Sequence, residues 1–381
     1  MTSKNSKSPK IAIVHDYLRE YGGAERVVES IHEIFPDAPV YVSFIDRDVL
    51  GVHADKMKDW DIRETWISRL PFYKKLFSPF RIFAPAAFRA LDLSEFDFVI
   101  SSSNAYYAKA VSVPNGKHIC YCHTPPRSLY GYSTMSNWKS NPVTKFVGQI
   151  MNHFLRMEDF EMAQKVDVFI ANSKETQRRI QKFYRRDSQV IYPPIVIPTD
   201  SELKKAQEHT TKHDYYLSVG RLTQSKHVDL SIKVCTALQR NLVVIGAGKN
   251  SEYLKSLAGP TVQFLGEVSD ADLKNWYAGA KALLFPAEDE DFGMVPVEAM
   301  GYGVPVIAHA SGGPLETVIP GETGVQFSEL TEQSLTHAVM SFEKQESKKI
   351  FSKKEIRSFA QKFTDEIFKK SMLGVVHSLS R

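Results

Sequence analysis

Glu290 and Glu298 lie eight positions apart around the predicted start of a helix. The run Ala282–Phe285 is typical of a buried strand, and the residues from about Met294 to Tyr302 are typical of a helix with proline in its first turn. Carboxylates accept hydrogen bonds, so one can hold sugar hydroxyls ahead of the helix while the other holds a ribose diol. The free N–H groups at the helix start favour phosphate. The spacing indicates a sugar-nucleotide site, and ordinary acidic residues are the alternative for either glutamate alone.

A second loop supplies positive charge. Arg221 and Lys226 follow the predicted strand Tyr215–Val219, and Gly220 separates that strand from the arginine. The planar guanidinium matches a pair of phosphate oxygens, the lysine is a mobile point charge, and glycine lets the backbone approach closely. We predict a diphosphate clamp here. For these two cations alone, a solvated surface loop is the alternative.

The predicted strand Leu242–Ile245 ends in Gly246-Ala-Gly248. Gly-x-Gly after a strand suggests a nicotinamide cofactor, but the third glycine of that pattern is missing, and so is a suitably placed acidic residue. The pattern favours a tight turn.

The loop after the first predicted strand begins with Asp16 and Tyr17 and ends in the glycine pair Gly22 and Gly23, just before a predicted helix. Paired glycines permit close approach of a ligand to the backbone. We expect this loop to contact the phosphates of a donor or an acceptor molecule. A plain connection between strand and helix is the alternative.

His123 directly follows the predicted strand Lys117–Cys122 and opens a loop with two prolines and Arg127. Histidine can hydrogen-bond a sugar hydroxyl or assist proton movement, and Arg127 can meet acceptor charge. A structural histidine is the alternative.

Short apolar strands alternate with helical patterns through both halves of the chain, which is the signature of a parallel sheet wrapped by helices. The proline-rich run Tyr192–Pro198 marks the boundary. We predict an α/β protein with domains at 1–195 and 196–355, two doubly wound sheets facing each other across a cleft, and helices over 356–381 that pack back across the domains. Ligands of such sheets bind beyond the carboxyl ends of strands.

The composition excludes several classes of protein. The net charge of the 381 residues is only +4, and we find no nucleic-acid-binding motif. No apolar run approaches the roughly 18 residues of a membrane span, and the first ten residues lack the features of a signal peptide. Three cysteines argue for a reducing compartment. We expect a cytoplasmic location.

Two patterns nominally suggest metal. His118, Cys120 and Cys122 share one face of a predicted strand, but no second ligand pair matches them, so buried strand residues are favoured over zinc. Asp46 and Asp48 form an Asp-x-Asp in the wrong domain for a metal-dependent transferase, and we assign them to a solvated turn. We predict no essential metal.

Residues 66–83 interleave large aromatic residues with four cations and contain no acidic residue. This composition is typical of an interfacial anchor, and two prolines prevent one continuous helix. We expect either contact with an anionic membrane surface or a helical layer packed on the first domain.

The whole chain resembles the retaining glycosyltransferases of family 4, which have the two-domain GT-B architecture. The resemblance rests on the loops around Gly22 and His123, on Val219-Gly-Arg-Leu222 with Lys226, on the Glu290/Glu298 pair and on Ser311-Gly-Gly-Pro-Leu-Glu-Thr317. The runs Tyr121–Arg127 and Pro286–Glu298 are similar to the branch of bacterial O-antigen mannosyltransferases. That branch implies transfer of mannose from GDP-mannose to a saccharide carried on a lipid, at the inner face of the cytoplasmic membrane.

The resemblance also implies residue roles. Arg221 and Lys226 neutralise the donor diphosphate, Glu298 holds the ribose, His123 touches the transferred sugar, and Glu290 grips that sugar together with the backbone of 292–294. The predicted donor site is Gly22, Gly23, Arg221, Lys226, Val268, Glu290, Phe292, Gly293, Met294, Val295 and Glu298. The predicted acceptor site is Asp16, Tyr17 and Arg127. Transfer needs neither a protein nucleophile nor a cofactor beyond the nucleotide-sugar, because the leaving phosphate accepts the proton of the acceptor.

Other activities stay open. The same fold suits UDP-glucose or another nucleotide-sugar as donor, a nucleotide-sugar epimerase, a sugar phosphorylase, or a protein that binds nucleotide-sugars without catalysis. One departure from the family pattern is His227, where many relatives carry glycine; it leaves the exact grip on the donor open.

Overall fold

The computed structural model describes residues 9–132, 142–208, 210 and 214–380. Residues 1–8, where we predict no signal peptide, lie outside the described residues. The described chain divides into two compact units. The first unit comprises the residues up to Pro194 together with those from Glu366 onward, and the second comprises Ile195–Asp365.

The first unit contains a parallel sheet of seven strands among the described residues. The strands are β1 (Ile11–His15), β2 (Val40–Val42), β3 (Ile62–Glu64), β4 (Phe98–Ser103), β5 (Lys117–Cys122), β6 (Val168–Ala171) and β7 (Ser188–Val190). Their order across the sheet is β3-β2-β1-β4-β5-β6-β7. The chain therefore builds outward from β1 in one direction, then returns to its other side, and the order reverses between β1 and β4.

Helices cover both faces of this sheet. They are α1 (Gly23–Ile34), α2 (Arg47–Leu50), α3 (Phe77–Phe80), α4 (Ala84–Arg89), α5 (Arg127–Tyr130), α6 (Pro142–Gln164) and α7 (Lys174–Tyr184). Alternate side chains of β1 enter different cores, because successive residues of a strand point to opposite faces. Ile11 and Ile13 pack in one core, and Ala12 and Val14 pack in the other. Burial on both faces explains the continuous apolar run of β1.

The second unit contains a parallel sheet of six strands among its described residues. The strands are β8 (Tyr216–Val219), β9 (Leu242–Ile245), β10 (Val262–Gly266), β11 (Ala282–Phe285), β12 (Val306–His309) and β13 (Gly324–Phe327), and the helices are α8 (Asp200–Glu208), α9 (Val228–Ala237), α10 (Ser251–Ser256), α11 (Asp270–Gly279), α12 (Met294–Gly301), α13 (Pro314–Thr317), α14 (Glu332–Ser347) and α15 (Lys353–Ala360). The order β10-β9-β8-β11-β12-β13 reverses between β8 and β11. The prediction of two doubly wound, Rossmann-like parallel sheets is confirmed.

The C-terminal segment, predicted as helices over 356–381 that pack back across the domains, is divided between the units. Helix α15 lies in the second unit, whereas α16 (Asp365–Leu379) adds its apolar side chains to the first. Phe368 and Met372 of α16 are fully buried in the same core as Tyr121 of β5, with the rings of Tyr121 and Phe368 5.8 Å apart. The division follows from these contacts: Phe368 and Met372 find their apolar partners in the first unit.

A buried ion pair crosses the interior of the first unit. The Nζ of Lys109 lies 2.5 Å from a carboxylate oxygen of Asp159, and both side chains are almost wholly inaccessible to water. The hydroxyl of Tyr130 donates to the other oxygen at 2.8 Å. Burial alone would lower the pKa of Lys109, but the charge of Asp159 raises it above its ordinary value. Each charge therefore depends on the other.

Among the described residues, no helix is both long and apolar enough to cross a bilayer.

Replacing Asp159 with Asn would leave the Lys109 charge buried without a counter-ion. We expect the first unit to lose about 3–5 kcal/mol of unfolding free energy. Urea unfolding followed by circular dichroism measures this loss. The control is Glu95→Gln, which removes the partner of Lys10 in an exposed pair and should change the unfolding midpoint little. Equal midpoints for the Asp159 variant and the wild type would contradict the role assigned to the pair.

Candidate active site

The predicted donor residues follow the two strands at which the order of the second sheet reverses. Arg221 and Lys226 lie in the loop after β8, and Glu290 lies in the loop after β11. Strands β8 and β11 are direct neighbours, with Tyr216 in register with Ala282. Loops at such a reversal diverge to opposite faces of the sheet and leave a crevice at its carboxyl edge, where ligands of doubly wound folds bind.

The structure joins two residues to which the sequence assigns separate tasks. The Nζ of Lys226 donates to a carboxylate oxygen of Glu290 at 2.6 Å, and both side chains are about one-fifth to one-quarter exposed. Lys226 also lies 5.4 Å from the ring centre of Phe285. Arg221 is exposed, and it lines one shallow depression with Lys226, Gly220 and Phe285. A phosphate entering this depression would compete with Glu290 for the lysine.

His227 adopts a backbone conformation that explains the family glycine at this position. Its φ is +47° and its ψ is +36°, in the left-handed region, and it precedes the first residue of α9. Glycine adopts this region without steric cost, whereas other residues pay for it. The Nε2 of His227 lies 3.6 Å from a carboxylate oxygen of Glu288.

The acidic loop after β11 is held by backbone contacts. The amide of Gly313 donates to the carbonyl of Glu290 at 2.8 Å. A Cβ at Gly312 would lie 2.0 Å from that same carbonyl oxygen, and a Cβ at Gly313 would lie 2.0 Å from the carbonyl oxygen of Phe292. Only glycine fits at either position. The glycine pair after β12 therefore fixes the position of the loop that carries Glu290.

The predicted helix start is confirmed at α12. Gly293 precedes it with a φ of +83°, which favours glycine, and Gly293 itself makes no side-chain cap to the first turn. The amides of Met294 and Val295 begin the helix, and these two residues are partly exposed. Glu298, one turn further, is partly exposed and accepts a hydrogen bond from the hydroxyl of Tyr277 at 3.1 Å. Tyr277 orients the carboxylate and is a residue that the sequence analysis missed.

The pair Gly246 and Gly248 supports the loop of Arg221. A Cβ at Gly246 would lie 2.0 Å from the carbonyl oxygen of Gly220, and one at Gly248 would lie 2.4 Å from the carbonyl oxygen of Leu222. Backbone atoms occupy the space where a Cβ would lie at either glycine, which agrees with a tight turn. Val268, a residue of the predicted donor site, follows the edge strand β10 and is partly exposed.

In the first unit, Asp16 follows β1, where the strand order reverses. Its carboxylate is 3% exposed and accepts hydrogen bonds from the amides of Asn104, Tyr106 and Ala108 at 2.8–2.9 Å. Three such bonds make Asp16 the anchor of the loop after β4. Its predicted contact with an acceptor stays a prediction.

Tyr17 and Arg127 are both partly exposed. The ring of Tyr17 stacks on Phe44 with centroids 5.5 Å apart and meets Tyr106 edge-on at 5.4 Å. Arg127 begins α5. Their role toward an acceptor is untested by these contacts.

His123 is 7% exposed and lies at the end of a buried polar chain. Its Nε2 is 2.7 Å from the hydroxyl oxygen of Ser102, whose own neighbour is His15 of β1. Burial, and then the charge of His15, lower the pKa of His123 to about 3, so its ring is neutral near pH 7. Sequence reasoning missed Ser102 and His15, and a residue's place at the end of a parallel strand is the only signal for them.

Gly22 and Gly23 start α1. The amide of Gly22 donates to Glu25 at 2.8 Å, and Glu25 is itself buried. Gly22 and Glu25 are three residues apart, which is the spacing of a capping box. This spacing could have identified Glu25 from the sequence.

Neither of the two patterns that nominally suggest metal forms a cluster of ligands in the described part of the chain. Among the described residues, no group of three or more His, Cys, Asp or Glu side chains is arranged to hold a metal ion. Asp46 is 2% exposed rather than solvated, because Lys74 bridges it to the exposed Asp48 at 3.1 and 3.0 Å. Cys120 is buried, and burial raises its pKa to about 12, which agrees with the interpretation as a strand residue.

Two family models match the chain in succession. The model of Glycosyltransferase Family 4 matches residues 21–197, and the model of Glycosyl transferases group 1 matches residues 199–359. Together they cover most of both units.

Several mannosyltransferases are similar to the chain, two of them over most of its length. Alpha-1,3/1,6-mannosyltransferase ALG2 of Kluyveromyces lactis is 27% identical, over 81% of this chain and 71% of the relative. The human GDP-Man:Man(3)GlcNAc(2)-PP-Dol alpha-1,2-mannosyltransferase is 24% identical, over 99% and 89%. A GDP-mannose-dependent alpha-mannosyltransferase of Mycolicibacterium smegmatis is 38% identical over 28% of each chain.

Solved structures share the fold. Anabaena Alr3699/HepE, in complex with UDP and glucose, superposes with a TM-score of 0.69 at 18% identity, covering 97% of this chain and all of the other. Sucrose-phosphate synthase from Thermosynechococcus elongatus gives 0.70 at 18% identity, covering 97% and 99%. The two parallel sheets, the matches of both family models and the similarity to mannosyltransferases agree: the chain belongs to the GT-B glycosyltransferases of the family 4 type.

Proposed function

We propose that the protein transfers mannose from GDP-mannose to a saccharide acceptor carried on a lipid, with retention of the anomeric configuration and without a metal ion. The observation that carries the proposal is the placement of Arg221, Lys226 and Glu290 where the strand order of the second sheet reverses. The names of the human and mycobacterial relatives support GDP-mannose, and the name of the human relative contains the acceptor Man(3)GlcNAc(2)-PP-Dol.

The ion pair between Lys226 and Glu290 separates when the donor binds, and each residue then contacts a different part of the donor. A diphosphate carries more negative charge than one carboxylate, and Arg221 adds a second cation to the same depression. The diphosphate takes Lys226 as a partner, and Glu290 then accepts hydrogen bonds from the hydroxyls of the sugar. Charge that develops on the leaving diphosphate is stabilised by cations that are already in place.

Retention without a protein nucleophile fits the contacts of the two glutamates. Glu290 is paired with a lysine and Glu298 with a tyrosine hydroxyl, so both are placed to grip rather than to attack. The hydroxyl of the acceptor attacks the anomeric carbon on the face from which the diphosphate leaves. The bond to the phosphate oxygen breaks, and that oxygen receives the proton of the hydroxyl. His123 contributes a hydrogen bond to the sugar.

The setting proposed for this reaction is the synthesis of a bacterial surface polysaccharide at the inner face of the cytoplasmic membrane. It is supported by the similarity of Tyr121–Arg127 and Pro286–Glu298 to the O-antigen branch. A second candidate donor is UDP-glucose or another UDP-sugar, because a structure of the same fold holds UDP and glucose. Epimerase, phosphorylase and binding-only activities are outcomes of the same test.

A panel of nucleotides tests the donor. GDP should stabilise the protein against heating by about 2.7 kcal/mol at 100 times its dissociation constant, and UDP or ADP at equal concentration by much less. GDP-mannose with a lipid-linked saccharide should give an α-mannoside, identified by the NMR coupling of its anomeric proton, and chelator should leave the rate unchanged. Preferential stabilisation by UDP, release of a free sugar without acceptor, a β-product, or loss of rate with chelator would each contradict the corresponding part.

Variants of the ion pair test the division of labour. Lys226→Ala and Arg221→Ala should each lower kcat/KM by roughly 100-fold or more, because each removes a cation from the transition state. Glu290→Gln should weaken binding of GDP-mannose but not of GDP, since the carboxylate no longer competes for Lys226. The matched control is Lys233→Ala on α9 of the same unit, which breaks ion pairs with Asp229 of α9 and Glu332 of α14. Equal losses for GDP and GDP-mannose in Glu290→Gln would contradict the division.

An exposed apolar surface on the first unit supports contact with a membrane. Along α6, Phe146, Ile150, Phe154 and Met157 are 46–65% exposed, and they recur at the spacing of one helix face. The 66–83 segment exposes Phe72 (72%) and is adjacent, because Arg81 and Asn152 of α6 both hydrogen-bond Ser128.

The charges of this surface favour an anionic bilayer as its occupant. Arg69 and Lys75 are exposed in the 66–83 segment, which has no acidic residue, and Arg156 is exposed on α6. Apolar side chains flanked by cations are the composition of helices that lie in a lipid interface. A lipid carrier would bring the acceptor to the same surface.

Co-sedimentation with vesicles tests the docking. Wild-type protein should sediment with vesicles containing anionic lipid at low salt, and binding should fall with added salt and in the double variant Phe146→Gln/Phe154→Gln. The control is Met340→Gln, which changes an exposed apolar residue of α14 in the second unit. Absence of sedimentation at low salt, or equal binding by the double variant, would contradict the docking surface.

A further inference from the structure

Four buried or nearly buried polar residues form a chain under the carboxyl edge of the first sheet. Glu25 of α1 lies 3.6 Å from the Nε2 of His15, the last residue of β1. The Nδ1 of His15 lies 3.1 Å from the hydroxyl of Ser102 on β4, and this hydroxyl lies 2.7 Å from the Nε2 of His123. This series of polar contacts thus runs from the helix that begins at the Gly22 loop to the histidine predicted to touch the sugar.

The direction of the hydrogen bonds follows from the partners of His15. Its Nε2 faces a carboxylate, and its Nδ1 also faces the carbonyl oxygen of Ser102 at 3.2 Å. Both of these partners only accept hydrogen bonds. Acceptors beside both ring nitrogens, together with the charge of Glu25 that raises the pKa of His15, favour an imidazolium paired with the Glu25 carboxylate.

The same logic determines the state of His123. Because His15 donates toward Ser102, the serine hydroxyl is left with its own proton to give, and the acceptor for that proton is the Nε2 of His123. A neutral histidine that accepts at Nε2 carries its proton at Nδ1. No described residue hydrogen-bonds that Nδ1.

The charges near these groups agree with this direction. Burial alone would lower the pKa of His15, but the hydrogen bond and charge of Glu25, then the charge of Asp16 and the Ser102 carbonyl, raise it above its ordinary value. Burial alone would raise the pKa of Glu25, but His15 and the Gly22 amide lower it. Burial keeps His123 neutral.

We propose that Glu25, His15 and Ser102 are positioning residues that hold His123 as the tautomer protonated at Nδ1, so that Nδ1–H is the donor His123 offers to an oxygen of the substrate. The substrate contact rests on the proposed function, whereas the tautomer does not. If His15 loses its second proton, it accepts from Ser102, Ser102 accepts from His123, and Nδ1 becomes an acceptor. The protonation of a residue remote from the substrate then decides whether His123 donates or accepts.

Nitrogen-15 NMR of histidine-labelled protein tests the tautomer without any assay of transfer. The signals are assigned with His15→Gln and His123→Gln. Near pH 7 we expect a bare Nε2 and a protonated Nδ1 on His123, and two protonated nitrogens on His15. Ser102→Ala should raise the fraction of His123 protonated at Nε2, and Glu25→Gln should make His15 neutral.

Ser101→Ala is a matched control. It removes an equally buried serine hydroxyl that lies 2.8 Å from a histidine, His118, on the neighbouring strand. It should cost similar stability while leaving the tautomer of His123 unchanged. A wild-type His123 protonated at Nε2, or the same tautomer shift in the Ser101 variant, would overturn the proposal even for a protein with no transferase activity.

Kinetics test the consequence for the substrate. Ser102→Ala should lower kcat by roughly tenfold with little change in affinity for GDP, because one directed hydrogen bond is lost. The raised pKa of His15 keeps the cation up to higher pH, so Glu25→Gln, which removes that support, should shift the alkaline limb of the pH–kcat profile to lower pH. Suppose that the NMR shows the predicted tautomer. An unchanged kcat in Ser102→Ala, together with an unshifted alkaline limb of the pH–kcat profile in Glu25→Gln, would then refute the positioning role. Absence of transfer by the wild type would refute the proposed function instead.

Discussion

The donor side of this protein depends on close contacts between backbones that only glycine permits. Gly246 lies against Gly220, and Gly312 and Gly313 lie against Glu290 and Phe292, at separations where a single methyl group would overlap a carbonyl. Hydrogen bonds reinforce both contacts, from Gly220 to Ile245 and from Gly313 to Glu290. The loops that carry the cations and the carboxylate are therefore positioned by main chain. Their functional side chains extend from a support that has few rotatable bonds.

The first unit reaches the same end by different means. There a carboxylate, Asp16, gathers three amides of the loop after β4, and the chain from Glu25 to His123 uses side chains throughout. Side-chain hydrogen bonds carry protons and charges as well as shape. Such a support responds to pH, whereas a backbone support does not. The two units thus hold their loops with unequal sensitivity to protonation.

The strands and helix around the donor residues could be predicted, because apolar runs, glycine and proline act locally. The bounds of β11 and the first residue of α12 agree with the prediction. The strands β3 and β13 went unnoticed, since each has only three or four residues at a sheet edge and no alternation marks them. The pairing of Lys226 with Glu290 joins residues 64 positions apart, and no local rule encodes that contact. His227 was noted as a departure, but its left-handed backbone could be seen only in the structure.

The late position of α16 in the sequence affects how the protein can fold while it is being synthesised. The core of the first unit closes only when Phe368 and Met372 reach Tyr121, although the strands of that core precede the whole second unit in the chain. Until α16 has emerged, Tyr121 and the other residues of this core lack the apolar contacts of Phe368 and Met372. Chains in this condition are prone to association and are the usual clients of chaperones. During synthesis, all residues of the second unit therefore emerge before the first unit has its last helix.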